Sequence, residues 1–106
     1  MTTKKLICPC VHGNGTSKES LLRDYEAAWD AIQAALKAMM PTAPNGRDYY
    51  PYNQNGQAFD DPFKMADQQF RERLQRLQRT CDEIDLLMNN TYSDIREQYV
   101  EIETGD

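Results

Sequence analysis

Two long apolar stripes in helical register, a proline-bounded connector between them and a polar, acidic composition predict an all-α chain. The expected fold is an antiparallel helical hairpin that dimerises into a four-helix bundle or assembles into a higher oligomer. At 106 residues the chain is one domain at most, and so short a chain buries only a modest fraction of its surface. Apolar and Cys residues make up 40% and charged residues 27%, with a mean hydropathy of −0.81. That is polar for a compact monomer, and self-association of two amphipathic helices fits it better.

Residues 1–15 read as a short arm ending in the polar run His12-Gly-Asn-Gly15. Thr16-Ser-Lys-Glu19 follows and reads as a capping box, with the Thr16 hydroxyl accepting from the Glu19 amide. Behind it Leu22, Tyr25, Trp29, Ile32, Leu36 and Met39 recur at alternating spacings of 3 and 4, one seam of a coiled-coil-like helix. Pro41 and Pro44 stop it, so helix 1 is expected at about residues 17–40, roughly 36 Å long.

The connector over 41–61 holds Asn45-Gly46, Asn55-Gly56 and the Tyr49-Tyr50-Pro51-Tyr52 cluster, with Phe59 nearby. Asn-Gly pairs supply positive-φ turn positions. A helix–helix connection usually takes ~2–8 residues, so one this long is either functional or disordered; its aromatics argue for packing and order. Asp61-Pro62 opens helix 2 with a cap and a proline at the first helical position. Phe63, Ala66, Phe70, Leu74, Leu77, Cys81, Ile84 and Met88 carry its seam across 62–88. Asn89-Asn-Thr91 then weakens helical propensity, and a break or bend is favoured there. Tyr92, Ile95, Tyr99 and Ile102 resume the phase, which predicts a C-terminal helical extension over 92–102, completing a domain of 16–102. Residues 103–106 are expected to fray.

The net charge of −5 disfavours a general binder of polymeric nucleic acid or of anionic membranes. No run approaches the ~20 apolar residues that cross a bilayer, and no secretory h-region follows Met1. The expected location is the cytoplasm, where the three cysteines stay reduced. Along the second half, Lys64, Arg71, Arg73, Arg76 and Arg79 precede an acid-rich stretch from Asp82 onward. This reads as a solvated face with i,i+4 pairs such as Glu72–Arg76 and Arg79–Glu83, or as head-to-tail matching between antiparallel subunits.

Three clusters could carry chemistry. His12-Gly-Asn-Gly-Thr-Ser-Lys18 combines two glycines, several donors and a helix start, which suits a phosphate or carboxylate. It lacks the spacing and the preceding strand of a Walker A loop. The same residues read equally as an ordinary turn with a good cap, a reading that explains His12 least well. Asn45-Gly-Arg-Asp-Tyr-Tyr-Pro-Tyr52 sets an Arg fork beside rings that can stack on a planar group; the plainer reading pairs Arg47 with Asp48. A Tyr- and Arg-rich loop is also interface-like. Cys8-Pro-Cys10-Val-His12 has zinc-ligand residue types but not the usual spacing, and a fourth ligand is not evident, although Cys81 could supply it; no metal or other cofactor is assigned. One His without a nucleophile–base–orienter set argues against an enzyme.

In an antiparallel hairpin the first two clusters fall at opposite ends. An antiparallel dimer would bring one subunit's connector to the other's helix start, giving two equivalent composite sites.

The paired motifs His12-x-Asn-Gly-Thr-Ser17 and Asn45-Gly-Arg-Asp-Tyr-Tyr50 resemble those of small, mostly helical proteins encoded by bacteriophages and prophages. The resemblance covers roughly residues 8–88 and implies no catalytic residue. It implies an accessory role, since many phage proteins of this size act against host defences, some as sponges for nucleotide signals. The motifs differ from those of the helical-hairpin sponges for cyclic nucleotides, so that link is analogy. The expectation is a non-enzymatic protein of the host cytoplasm that binds a small anionic, nucleotide-derived ligand at subunit interfaces. His12, Asn14, Gly15, Thr16, Ser17 and Lys18 would surround the anion, and Arg47, Asp48, Tyr49 and Tyr50 would clamp it. The alternative is a protein–protein interaction factor, an inhibitor of a host protein or a minor phage assembly factor.

Overall fold

A computed structural model describes residues 2–49, 51–52, 61–92 and 99–104. The order of elements is β1 (Thr3–Ile7), α1 (Lys18–Met39), two 3-10 turns (Met40–Thr42 and Gly46–Tyr49), α2 (Pro62–Asn89) and β2 (Tyr99–Glu103). The two long helices form the expected hairpin. Gln33 donates to Cys81 Sγ at 3.1 Å, while Leu36 and Met40 border one groove with Leu74, so the helices run antiparallel.

The start of α1 falls one residue later than the capping-box reading placed it. Ser17, not Thr16, is the cap, and its Oγ accepts from the Ser20 amide at 3.2 Å. Two adjacent hydroxyls can each cap a helix, and residue type does not separate them. At the other end Pro41 enters a 3-10 turn and the Thr42 hydroxyl donates to the Met39 carbonyl at 2.6 Å.

Asp61 and Pro62 open α2 as the sequence indicates. Asp61 Oδ1 accepts from the Lys64 amide at 3.1 Å, and Asp61 itself sits at φ 73°, in the left-handed region. The helix ends at Asn89. Asn90 Nδ2 donates to the Leu86 carbonyl at 2.8 Å and Thr91 Oγ1 to the Leu87 carbonyl at 2.7 Å. Side chains thus satisfy carbonyls that the next turn would otherwise have taken.

The all-α expectation fails at the chain's two extremities. The N-terminal arm contains a strand over Thr3–Ile7, and Tyr99–Glu103 is a strand rather than the end of a helical extension. Residues 93–98 of that expected extension lie outside the described residues. β1 and β2 pair antiparallel from Thr3↔Glu103 to Ile7↔Tyr99. The Thr104 amide donates to the Thr2 carbonyl at 3.1 Å, so Glu103 and Thr104 belong to the ribbon and not to a frayed tail. The physical reason lies in the side chains of β2. Val100 and Ile102 are half-buried between exposed Glu101 and Glu103, the period-2 alternation of a strand. Tyr99 and Ile102 also satisfy a helical spacing of three. So short a stretch supports both periods, and a partner strand decides between them.

Among the described residues the core is small: Cys81 is 0% exposed, Cys8 and Phe70 nearly so, and Thr91 is a buried polar residue. No residue of α1 is buried; its seam side chains Leu22, Tyr25, Trp29, Ile32, Leu36 and Met39 are all half-exposed. The radius of gyration is 19.9 Å, with extents of 65 × 29 × 16 Å; a compact domain of this length has a radius near 13 Å. The hairpin is one helix thick.

Candidate functional site

The two sequence clusters occupy opposite ends of the hairpin. At the α1 start, the Gly15 amide donates to the His12 carbonyl at 3.1 Å and closes a turn. The His12 ring folds over Gly15, and a Cβ on that glycine would lie 2.9 Å from His12 Nε2. A side chain at Gly15 would displace the exposed His12 ring from this position, so what the turn uses here is close approach rather than dihedral freedom. Ser17 Oγ is committed to the cap. His12, Asn14, Thr16 and Lys18 are exposed, and none of their side chains has a polar partner among the described residues. Behind the turn, the Val11 amide donates to the Tyr92 carbonyl at 2.7 Å, and Cys10 bridges Tyr92 in parallel fashion. These contacts tie the segment to the end of α2.

The cluster at the α2 start is built more firmly. Asn45 organises it: Oδ1 accepts from the Arg47 amide at 3.1 Å, and Nδ2 donates to Asp48 Oδ2 at 3.2 Å. This is an Asx turn, and it sets up the 3-10 turn over Gly46–Tyr49. Asp48 is thereby engaged by Asn45 and not by Arg47. The Arg47 guanidinium keeps no hydrogen-bond or ion-pair partner among the described residues. The Tyr49 ring stacks on Tyr52 and meets Phe63 edge-on, with both centroid separations 6.3 Å. Asn45, Gly46, Arg47, Tyr49, Asp61, Pro62 and Phe63 line an open cleft of ≈ 460 Å³.

Tyr50 lies outside the described residues. Phe63, Pro62 and Asp61 are cleft residues that sequence reading assigned only to the helix start or seam. The signal was present, because the aromatic directly follows the cap and the N1 proline. Phe63 is 38% exposed, so it belongs to the cleft wall more than to the seam.

The cysteines do not converge on His12. Cys8 is buried and its Sγ donates to the Leu6 carbonyl at 3.6 Å, and Cys81 takes its bond from Gln33 in the hairpin. Among the described residues no group of three or more His, Cys, Asp or Glu side chains could hold a metal ion. Burial pushes the Cys8 thiol above its ordinary pKa of 9.0 and keeps it protonated.

The arrangement can grip an anion through Arg47 and offer rings to a planar group. Among the described residues no helix is long and apolar enough to cross a membrane. No protein-family model, curated protein or solved structure matches the chain.

Proposed function

We propose that the protein is a non-enzymatic accessory factor of phage type that captures a small anionic, nucleotide-derived ligand in the host cytoplasm and so withholds a defence signal. The supporting observation is the Arg47 guanidinium, without a polar partner among the described residues, in a cleft walled by Tyr49 and Phe63. An arginine fork matches phosphate oxygens, and the rings offer a stacking face to a base. Asp61 lines the same cleft, but its carboxylate is engaged in capping α2, which softens its repulsion of an anion. The His12–Lys18 turn would supply further donors from a second subunit.

Thermal-shift measurements with cyclic mono-, di- and trinucleotides, ADP-ribose and inorganic phosphate test this reading. A ligand present at ~100 times its Kd stabilises a protein by about 2.7 kcal/mol, several degrees in Tm for a domain of this size. The expected result is such a shift with at least one nucleotide, lost in Arg47→Ala. A flat response to all of these ligands, or an equal shift in Arg47→Ala, rejects it.

A second reading, docking on a host protein, is favoured by the exposed Tyr52 and Met65 beside Tyr49. A partner whose capture depends on Tyr49 but not on Arg47 would select it.

A further inference from the structure

One broad face of the hairpin carries a groove of ≈ 530 Å³ lined by Gln33, Leu36, Lys37, Met40, Leu74 and Gln78, among others. Met40 is 55% exposed there. Helical periodicity extends this face through Asp30 and Glu26 on α1 and through Arg71, Asp82 and Asp85 on α2. The Gln78–Asp82 hydrogen bond of 3.1 Å follows the same line. Charge along the face is polarised. Lys37, Lys64 and Arg71 lie toward the Arg47 end, where Asp67 partly offsets Arg71. Glu26, Asp30, Asp82 and Asp85 lie toward the His12 end.

We propose that a second copy of this chain docks on this face, antiparallel and about an in-plane two-fold axis, and that the pairing completes the proposed anion site. Placing the axis at the Gln33–Ala34 level sets Lys37 opposite the partner's Asp30. On α2 an axis between Arg76 and Leu77 sets Arg71 opposite the partner's Asp82 and Gln75 opposite the partner's Gln78. Gln33 meets Cys81 while Leu36 and Met40 border one groove with Leu74, so the two axes lie within roughly four residue rises, ~6 Å, an offset that the long Lys37 and Arg71 side chains can take up. The two charge matches are therefore compatible with one register. Turning the second copy parallel instead would set Asp30 against the partner's Asp82 and Glu26 against the partner's Asp85, so like charges select the antiparallel pairing.

Reach agrees with this choice. On α1 the two copies overlap over residues 28–39, roughly 18 Å, and on α2 over residues 64–89, roughly 39 Å; at a helix width of roughly 10 Å this is roughly 1,100 Å² for the two partners together, at the lower end of specific protein pairs. Along α2 the axis is about 22 Å from Pro62, and along α1 about 23 Å from Lys18. The partner's His12–Lys18 turn thus comes level with the Arg47 cleft. Each cleft gains the donors that a single chain holds at its far end. The pairing itself stands on the face; only the completed site rests on the ligand reading above.

Sedimentation equilibrium of the full chain tests the register by charge exchange. The wild type is expected to be a dimer. Asp30→Lys and Lys37→Asp should each weaken association roughly tenfold or more, and Asp30→Lys combined with Lys37→Asp should return it to within about threefold of wild type. Far-UV circular dichroism checks that helix is retained. If either single variant loses helix, Arg71→Asp and Asp82→Arg repeat the exchange on α2. A wild type that stays monomeric at high micromolar concentration overturns the pairing, as does a double variant no tighter than its singles. A dimer with rescue but no nucleotide binding leaves the pairing standing and removes the ligand reading. A monomeric variant that binds nucleotide as tightly as wild type overturns the shared site.

Discussion

At the scale of single residues, the three cysteines report how unevenly protection is distributed. Cys81 is sealed between the helices and Cys8 is buried just past the end of β1, whereas Cys10 is half-exposed. Alkylation of the native protein should therefore modify Cys10 first, with Cys8 and Cys81 reacting on the timescale of opening. Cys8 labelling as fast as Cys10 would contradict the burial described. The raised Cys8 pKa also has a sign. A thiol that ionises less readily folded than unfolded contributes stability that is complete below pH ~9 and is lost as pH rises through the folded value. The Tm of the wild type should fall more steeply above pH 9 than that of Cys8→Ala, which lacks the group. Parallel falls in the two proteins would assign the alkaline loss to other groups.

At the scale of elements, the helix starts show what residue type conveys and what it leaves open. Asp61-Pro62 was readable because a capping carboxylate followed by an N1 proline has few other uses. The positive φ of Asp61 was not readable, since Asp caps helices in more than one backbone conformation. Asp61→Ala should lose both the cap and a side chain tolerant of that region, at a combined cost of about 2 kcal/mol. Asp61→Gly should cost much less, because glycine accepts the left-handed conformation. Chemical denaturation of the two variants checks the order; equal losses would mean that the strain is immaterial. The hairpin itself was visible in 3/4 spacing sustained over many turns. The ribbon was hidden because Tyr99 and Ile102 fit two periods and their partner, Thr3–Ile7, is nearly the whole chain away. For the candidate site, the chemistry of Arg47 and Tyr49 was apparent from residue type. That Asn45, and not Arg47, takes Asp48 is a choice among close-lying partners, and only geometry makes it.

At the scale of the whole molecule, a slab 16 Å thick buries little surface by itself. A dimer that doubles the layer should show a urea midpoint rising with protein concentration, together with an m-value larger than the lone hairpin supports. A midpoint independent of concentration would mean that the single layer is self-sufficient. The ribbon adds a constraint in time. Its register joins Thr3 to Glu103, so an unfolded chain must close almost its full length to form the first rung, at the loop entropy that such a closure carries. Once α1 and α2 have met, the open distance collapses to the two short segments flanking the helices. The strands are therefore expected to zip on a template rather than nucleate it, with the ribbon the last part of the molecule to acquire its final geometry.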